Sequence, residues 1–160
     1  MRRTVVTFDP PPGANVAQWP MALDIDMAFY FKPDAGRILA SPADETPSPP
    51  TDVQPEEWDV AVAVDRLQRA TTLTIEHITH KWAGLRSSFS DGLPAVGPDP
   101  DKPTFVWLAG QGGYGIRTAP AMARLAAALA IGADAPADIT DFGLDAKTVA
   151  PGRLRVRARS

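Results

Sequence analysis

The run TFVWLAGQGGYGIRTAPAMARLAAALA, Thr104 to Ala130, constrains the fold more than any other stretch of the chain. An apolar, β-prone segment (Thr104 to Ala109) leads into G-x-G-x-x-G at Gly110, Gly112 and Gly115, and a helix follows from about Thr118 to Ile131. Strand, glycine turn and helix open a dinucleotide-binding βαβ unit. That unit also needs a second strand ending in an acid about twenty residues further on. Asp134 has the distance, but Gly132-Ala133 precede it and no strand does. The unit therefore reads as β-turn-α and stops, and an ordinary strand-to-helix turn fits the pattern at least as well. Thr118 is expected to cap the helix, with Pro120 in its first turn. The amides of a helix start favour an electron-rich partner. The helix is nearly all small residues (Ala119, Ala121, Ala123, Ala126, Ala127, Ala128, Ala130), which suits close packing on a sheet larger than this chain easily supplies.

The totals narrow the class. A hydrophobic fraction of 44% is ordinary for a folded domain. The 17 prolines, several in clusters, predict long irregular connections. A net charge of −3 argues against a general nucleic-acid binder. With no cysteine, disulfides, thiol catalysis and Cys-based zinc sites are excluded. The N-terminal MRRTVVTFDPPPG lacks the apolar core of a signal peptide, and Leu125 to Ile131 is too short to span a bilayer. A soluble, cytoplasmic chain without a membrane or nucleic-acid partner is expected.

Along the chain, Thr4 to Phe8 reads as a strand ended by three prolines. Ala22 to Lys32 alternates Leu23, Ile25, Met27, Phe29 and Phe31 against polar or small residues, the period of a half-buried strand. Pro33 to Gly36 is a turn, and Arg37 to Ser41 is the return strand. Pro55-Glu56-Glu57 marks a helix start, although Val60 to Val64 also alternates like a strand; the terminal signals favour helix. Leu73 to Ile78 opens another strand, and Lys81 to Phe89 is a stronger one. A loop opens at Val96 to Pro98, and Gly132 to Ser160 is expected to be weakly structured.

Two segments taken together are more specific. WAGLRSSFSDGLPAVG (Trp82 to Gly97) followed by FVWLAGQGGYGIRTAPAMARLAAALAIG (Phe105 to Gly132) resembles the C-terminal part of the D-amino-acid oxidase and glycine oxidase superfamily of flavoproteins. Further segments look like its D-arginine dehydrogenase branch: RRTVVTFDPPPG, FYFKPDAGRILASPAD, DVQPEEWD, ATTLTI and AGQGGYGIRT. The resemblance spans nearly the whole chain and matches the second half of such an enzyme. It implies an α+β fold: a mixed, largely antiparallel substrate-domain sheet with a flanking helix, and a returning strand-turn-helix of the FAD-binding domain. The N-terminal Rossmann-like βαβ half would be absent. The expected division is a substrate-binding portion over 1–90, the returning FAD-domain unit over 91–135 and a C-terminal tail over 136–160.

The resemblance also implies roles. Arg86 would bind the substrate carboxylate in a bidentate pair, and the Tyr30 hydroxyl would touch the same group. Arg3 matches a further substrate-contacting arginine, although a terminus two residues away predicts fraying. Gly113 would line the substrate side of the flavin, and Gly112, Gly113, Tyr114, Gly115, Ile116, Arg117 and Thr118 would face the flavin ring. Arg117 departs from the branch, where a neutral polar residue is usual. No side chain is assigned as catalytic, since FAD carries the chemistry. His77 and His80 are read as ordinary strand-end histidines rather than a metal site. The arginines from Arg153 to Arg159 read as a solvated tail. The implied substrate is a small D-amino acid, with a cationic side chain among the options, and the implied partner is a separately encoded FAD-binding half. The alternatives are an inactive truncated remnant and a flavin-free carboxylate-binding module. Oxidase and dehydrogenase are not separable on this pattern.

Overall fold

In a computed structural model, which describes residues 1–155, the chain forms two units, Met1–Leu85 and Arg86–Ser160. Both rest on antiparallel sheets with flanking helices, the α+β class expected.

The first unit holds five strands, β1 (Arg2–Phe8), β2 (Ala22–Leu23), β3 (Tyr30–Asp34), β4 (Arg37–Ser41) and β5 (His80–Leu85), in the order β2-β3-β4-β1-β5. Helix α1 (Glu57–Ala70) covers one face. Glu57 and Asp59 sit in its first turn and Arg69 in its last, the charge order its dipole favours. That settles Val60 to Val64 as helix. Val60, Ala63 and Leu67 pack on Val6, Phe8, Ile38 and Ala40, which alternate on β1 and β4.

Two ion pairs tie the strand end to the start of this helix, and a third reaches the segment after β4. Arg2 is buried and bonds Glu56 and Asp59, the latter at 2.7 Å, with Asp44 at 4.0 Å. Asp44 also accepts from the amide and hydroxyl of Thr4 at 2.7 and 3.0 Å. The terminus is therefore clamped into the sheet rather than frayed: Arg3 pairs with Gly84 of β5.

The single strand expected over Ala22 to Lys32 is instead two strands around a turn. The Asp24 carboxylate accepts from the amides of Asp26 and Ala28, both at 3.1 Å, and Met27 takes a φ of 58°. An aspartate that bonds its own downstream amides competes with the ladder and wins here. Leu73 to Ile78 forms no strand either: Leu73 joins the core, and the Ile75 amide bonds the Gln68 side chain at 2.8 Å.

The second unit pairs β6 (Ala95–Pro98) with β7 (Val106–Ala109) under helix α2 (Gly115–Ala130). Val96, Met122, Leu125, Ile139 and Val149 form its core. Residues 95–98 are thus a strand rather than a loop opening. Residues 132–155 are more ordered than expected. They carry α3 (Ala137–Thr140), α4 (Ala146–Val149) and a 3-10 turn (Pro151–Leu154), anchored by the core residues Ile139 and Val149. Arg153 is not solvated: it pairs with Asp91 at 2.7 Å and donates to the Leu93 carbonyl at 2.8 Å. Arg157 and Arg159 lie outside the described residues.

Candidate functional site

The W-A-G-L-R motif divides at its last residue. Trp82 to Leu85 end β5, whereas Arg86 opens a loop in the second unit that runs along the glycine turn. The expected strand to Phe89 stops early because this loop pairs elsewhere. The Gly112 amide donates to the Ser87 carbonyl at 2.9 Å, and Ser88 bridges Gln111.

Glycines make the approach possible. Gly110 has a φ of 72°, and a Cβ there would overlap the Phe89 ring. A Cβ on Gly113 would lie 2.6 Å from Arg86 Nη1, so the guanidinium lies directly against the turn. At Gly115 the obstacle would be the Gln111 side chain, with Oε1 at 2.8 Å. Phe89 and Gln111 are thus contributors that the motif alone did not single out. Their signal is proximity to glycines, which only the folded chain displays.

Helix α2 begins at Gly115, earlier than expected, with Tyr114 in the N-cap position and no side-chain cap. Thr118 lies inside the first turns, where its amide and its hydroxyl both donate to the Tyr114 carbonyl at 3.0 Å. The Thr118 amide makes the first intrahelical bond, leaving the amides of Gly115, Ile116 and Arg117 as the helix-start donors. No acid occupies this turn. Pro120, inside this first stretch of the helix, has no amide to donate back to the Ile116 carbonyl. The Arg117 guanidinium stacks over the Tyr114 ring at 5.3 Å. A guanidinium beside a glycine-lined, donor-rich helix start is an arrangement that attracts anionic or electron-rich groups.

The other two site residues belong to the first unit, on the sheet face opposite α1. Tyr30 pairs with Ser41, and the β1–β4 register carries Ser41 to Val5, which pairs with Trp82. Arg3 stands two residues from Val5 and shares its face. Tyr30 and Arg3 are therefore two strands apart on one surface, roughly 10 Å across the sheet. Arg3 is held by Glu45, Nη2 to Oε1 at 2.6 Å, and its buried Nε has no acceptor among the described residues. His80 lies on the same face, with Nδ1 3.0 Å from Arg37 Nη1.

The chain resembles several solved structures. Over 95% of its length it superposes on L-proline dehydrogenase from P. horikoshii (TM-score 0.71, 21% identity) and covers 39% of that chain. Glycine oxidase from Geobacillus kaustophilus gives a TM-score of 0.65 at 24% identity, covering 90% of this chain and 38% of that one. L-amino acid deaminase from Proteus vulgaris gives 0.65 at 19% identity, covering 94% and 35%. The chain therefore spans less than half the length of these structures. The sequence profile of the FAD dependent oxidoreductase family, DAO, matches residues 1–129. The match takes in the first unit, the Arg86 loop and the glycine turn together, and the chain belongs to this family.

Proposed function

We propose that the chain supplies the substrate-binding portion, and the flavin-facing helix start, of an FAD-dependent oxidoreductase that converts D-amino acids to imino acids. The observation that carries this reading is the Arg86 guanidinium lying against Gly113, at the turn that opens α2. FAD, when bound, supplies the hydride-accepting ring. Arg86 would bind the substrate carboxylate in a directional pair and so fix which Cα hydrogen is presented. Tyr30 and Arg3, on the sheet face of the first unit, are assigned substrate contacts by the family resemblance alone. Gly112 and Gly113 would let the backbone approach the ring, and the amides of Gly115, Ile116 and Arg117 would stabilise charge arising on its pyrimidine edge. The imino acid would then hydrolyse to a 2-oxo acid and ammonia.

The D configuration and the D-arginine dehydrogenase branch rest on the resemblance of FYFKPDAGRILASPAD and AGQGGYGIRT. The structural neighbours named above act on glycine, L-proline and L-amino acids by their names. The partner in this reading is an FAD-binding half, and the cytoplasm is the expected compartment, supported by the absence of cysteine. No helix among the described residues is long and apolar enough to cross a membrane.

The test is flavin retention. The purified chain is mixed with FAD and dialysed, with and without a related FAD-binding half in trans, and its visible spectrum is recorded. Retention with the partner, followed by bleaching with a D-amino acid, is expected. Bleaching by the L-enantiomer alone would overturn the stereochemical part. Absence of retained flavin in both mixtures would reduce the chain to a remnant or a carboxylate-binding module.

A further inference from the structure

The loop that carries Arg86 is gripped twice, once by the glycine turn and once from the last described turn of the chain. Just after this loop, the Gly92 amide donates to the Phe89 carbonyl and the Leu93 amide to the Asp91 carboxylate, both at 3.0 Å. Arg153, in the 3-10 turn Pro151–Leu154, reaches this second turn. Its Nε and Nη2 donate to the two Asp91 carboxylate oxygens at 2.7 and 3.2 Å, and Nη2 also donates to the Leu93 carbonyl at 2.8 Å. Nη1 donates to the Val149 and Ala150 carbonyls at 3.0 and 3.1 Å. Every N–H of the guanidinium is thereby used, on a side chain 16% exposed.

The two ends of this contact differ. Val149 belongs to the core of the second unit, and Pro151 packs over Gly97 of β6, where a Cβ would lie 3.8 Å from its Cδ. The carbonyls that hold Nη1 are therefore fixed on the core, and Nε and Nη2 carry that fixation to the turn. The guanidinium also stands 5.9 Å from the centre of the Phe89 ring. The same ring lies directly on Gly110, where an added Cβ would overlap it. From Phe89 the chain runs back through Ser88 and Ser87, both bonded to the glycine turn, to Arg86 against Gly113. Three residues span at most about 10 Å, so the seat of Phe89 and the position of Arg86 are coupled.

We propose that Arg153 is a positioning residue for Arg86: it straps the turn at Asp91 to the C-terminal helices, seats Phe89 on Gly110 and so keeps the Arg86 guanidinium against Gly113. This rests on the reading of Arg86 as the ligand of the substrate carboxylate. Arg153 lies beyond residues 1–129, the part that the family profile matches, and its role is read from its contacts alone.

Amide hydrogen exchange of the chain reads the strap directly. The Gly112 amide, bonded to the Ser87 carbonyl, reports whether the loop stays on the glycine turn, and the Leu125 amide in α2 reports whether the unit as a whole opens. Arg153→Met should speed exchange at Gly112 about tenfold and change Leu125 less than about twofold. Asp91→Asn removes one charge and keeps an acceptor for the Leu93 amide; it should shift Gly112 in the same direction by less, and it serves if Arg153→Met does not fold. Equal acceleration at both amides, or none at Gly112, in the variant that folds would overturn the proposal and make Arg153 a general stabiliser. The second arm uses the chain with FAD and an FAD-binding half. There Arg153→Met should raise KM for the amino acid about fivefold with kcat changed less than about twofold, and Arg153→Lys, with three donors in place of five, should fall between. A raised KM in Arg86→Met with an unchanged one in Arg153→Met would overturn this proposal and leave the site standing. An unchanged KM in Arg86→Met would remove the site reading and the proposal with it.

Discussion

At the scale of single residues, Arg86 and Arg2 sit in different surroundings, and the packing around each sets what it can do. Arg86 lies against a glycine that has no side chain to exclude it. Replacing Arg86 with Met should raise KM for the amino acid with a smaller change in kcat, a loss of about 2–3 kcal/mol of binding for a bidentate charged pair. Lys at this position should recover only part, since an ammonium cannot form the parallel pair. Steady-state kinetics of the complemented enzyme checks both. Arg2, by contrast, is structural. Its guanidinium bonds Glu56, and that bond holds the Glu56 carboxyl below its ordinary value of 4.5. A carboxyl that titrates lower when folded makes the folded state bind fewer protons, so its stabilisation is complete above the unfolded pKa and is lost as pH falls through the folded one. Arg2→Met should therefore lower the urea midpoint at pH 7, and the gap to wild type should narrow below about pH 4.5. A gap constant down to pH 3 would show that Glu56 plays no part in it. The sequence singled out Arg86 and Arg3 and gave Arg2 no role; only the fold shows that Arg2 clamps the strand end.

At the scale of elements, the sequence was legible wherever local chemistry dominates. Helix α1 announced itself through Pro55 and the acids of its first turn, and β4 through its apolar run after Gly36. It was misread wherever a distant or competing bond intervenes. Ala22 to Lys32 alternates well, yet Asp24 closes a turn within it by accepting two amides. Thr118 looked like a cap, yet α2 starts three residues earlier. The Gly112 amide is already taken by Ser87 from another segment, and the Tyr114 amide closes on the Gln111 carbonyl at 3.0 Å. A pattern read along the chain has no access to Ser87 at that point. The same contact yields a sharp expectation. Gly110→Ala adds a Cβ that would overlap the Phe89 ring, at a φ of 72°. It should destabilise the second unit by roughly 1–3 kcal/mol, from the strained backbone and the displaced ring. Gly132→Ala, where φ is 71° and a Cβ would meet nothing within 4 Å, isolates the backbone cost alone. Thermal melts of the two variants should therefore differ, Gly110→Ala falling further. Equal shifts would mean that Phe89 moves aside freely and that the loop does not hold Arg86 in place.

At the scale of the whole molecule, the chain shows apolar side chains that a self-sufficient domain would cover. In the second unit, Ile116 is 96% exposed and Phe142 94%, with Ile131, Phe105, Trp107 and Leu108 also open. Ile116, Ala119, Ala123, Ala127 and Ala130 are exposed along α2 at helical spacing, an apolar stripe of the kind that normally meets a sheet. The solved structures that this chain resembles are more than twice its length: it covers 38% of the glycine oxidase and 39% of the proline dehydrogenase. We propose that this open apolar surface meets a covering partner. Alone, it should bind a hydrophobic dye more strongly than a compact control of equal size, and hold FAD only weakly, because nothing among the described residues grips an ADP moiety with a βαβ unit. Adding an FAD-binding half should lower the dye signal and raise flavin retention together, with the same midpoint in a titration. Dye binding no higher than the control, or tight one-to-one retention of FAD by the chain alone, would show that the exposed stripe is a tolerated surface. Loss of dye binding without any gain in flavin would separate the two events: the partner would cover the apolar stripe on α2 without completing the site at its N-terminus.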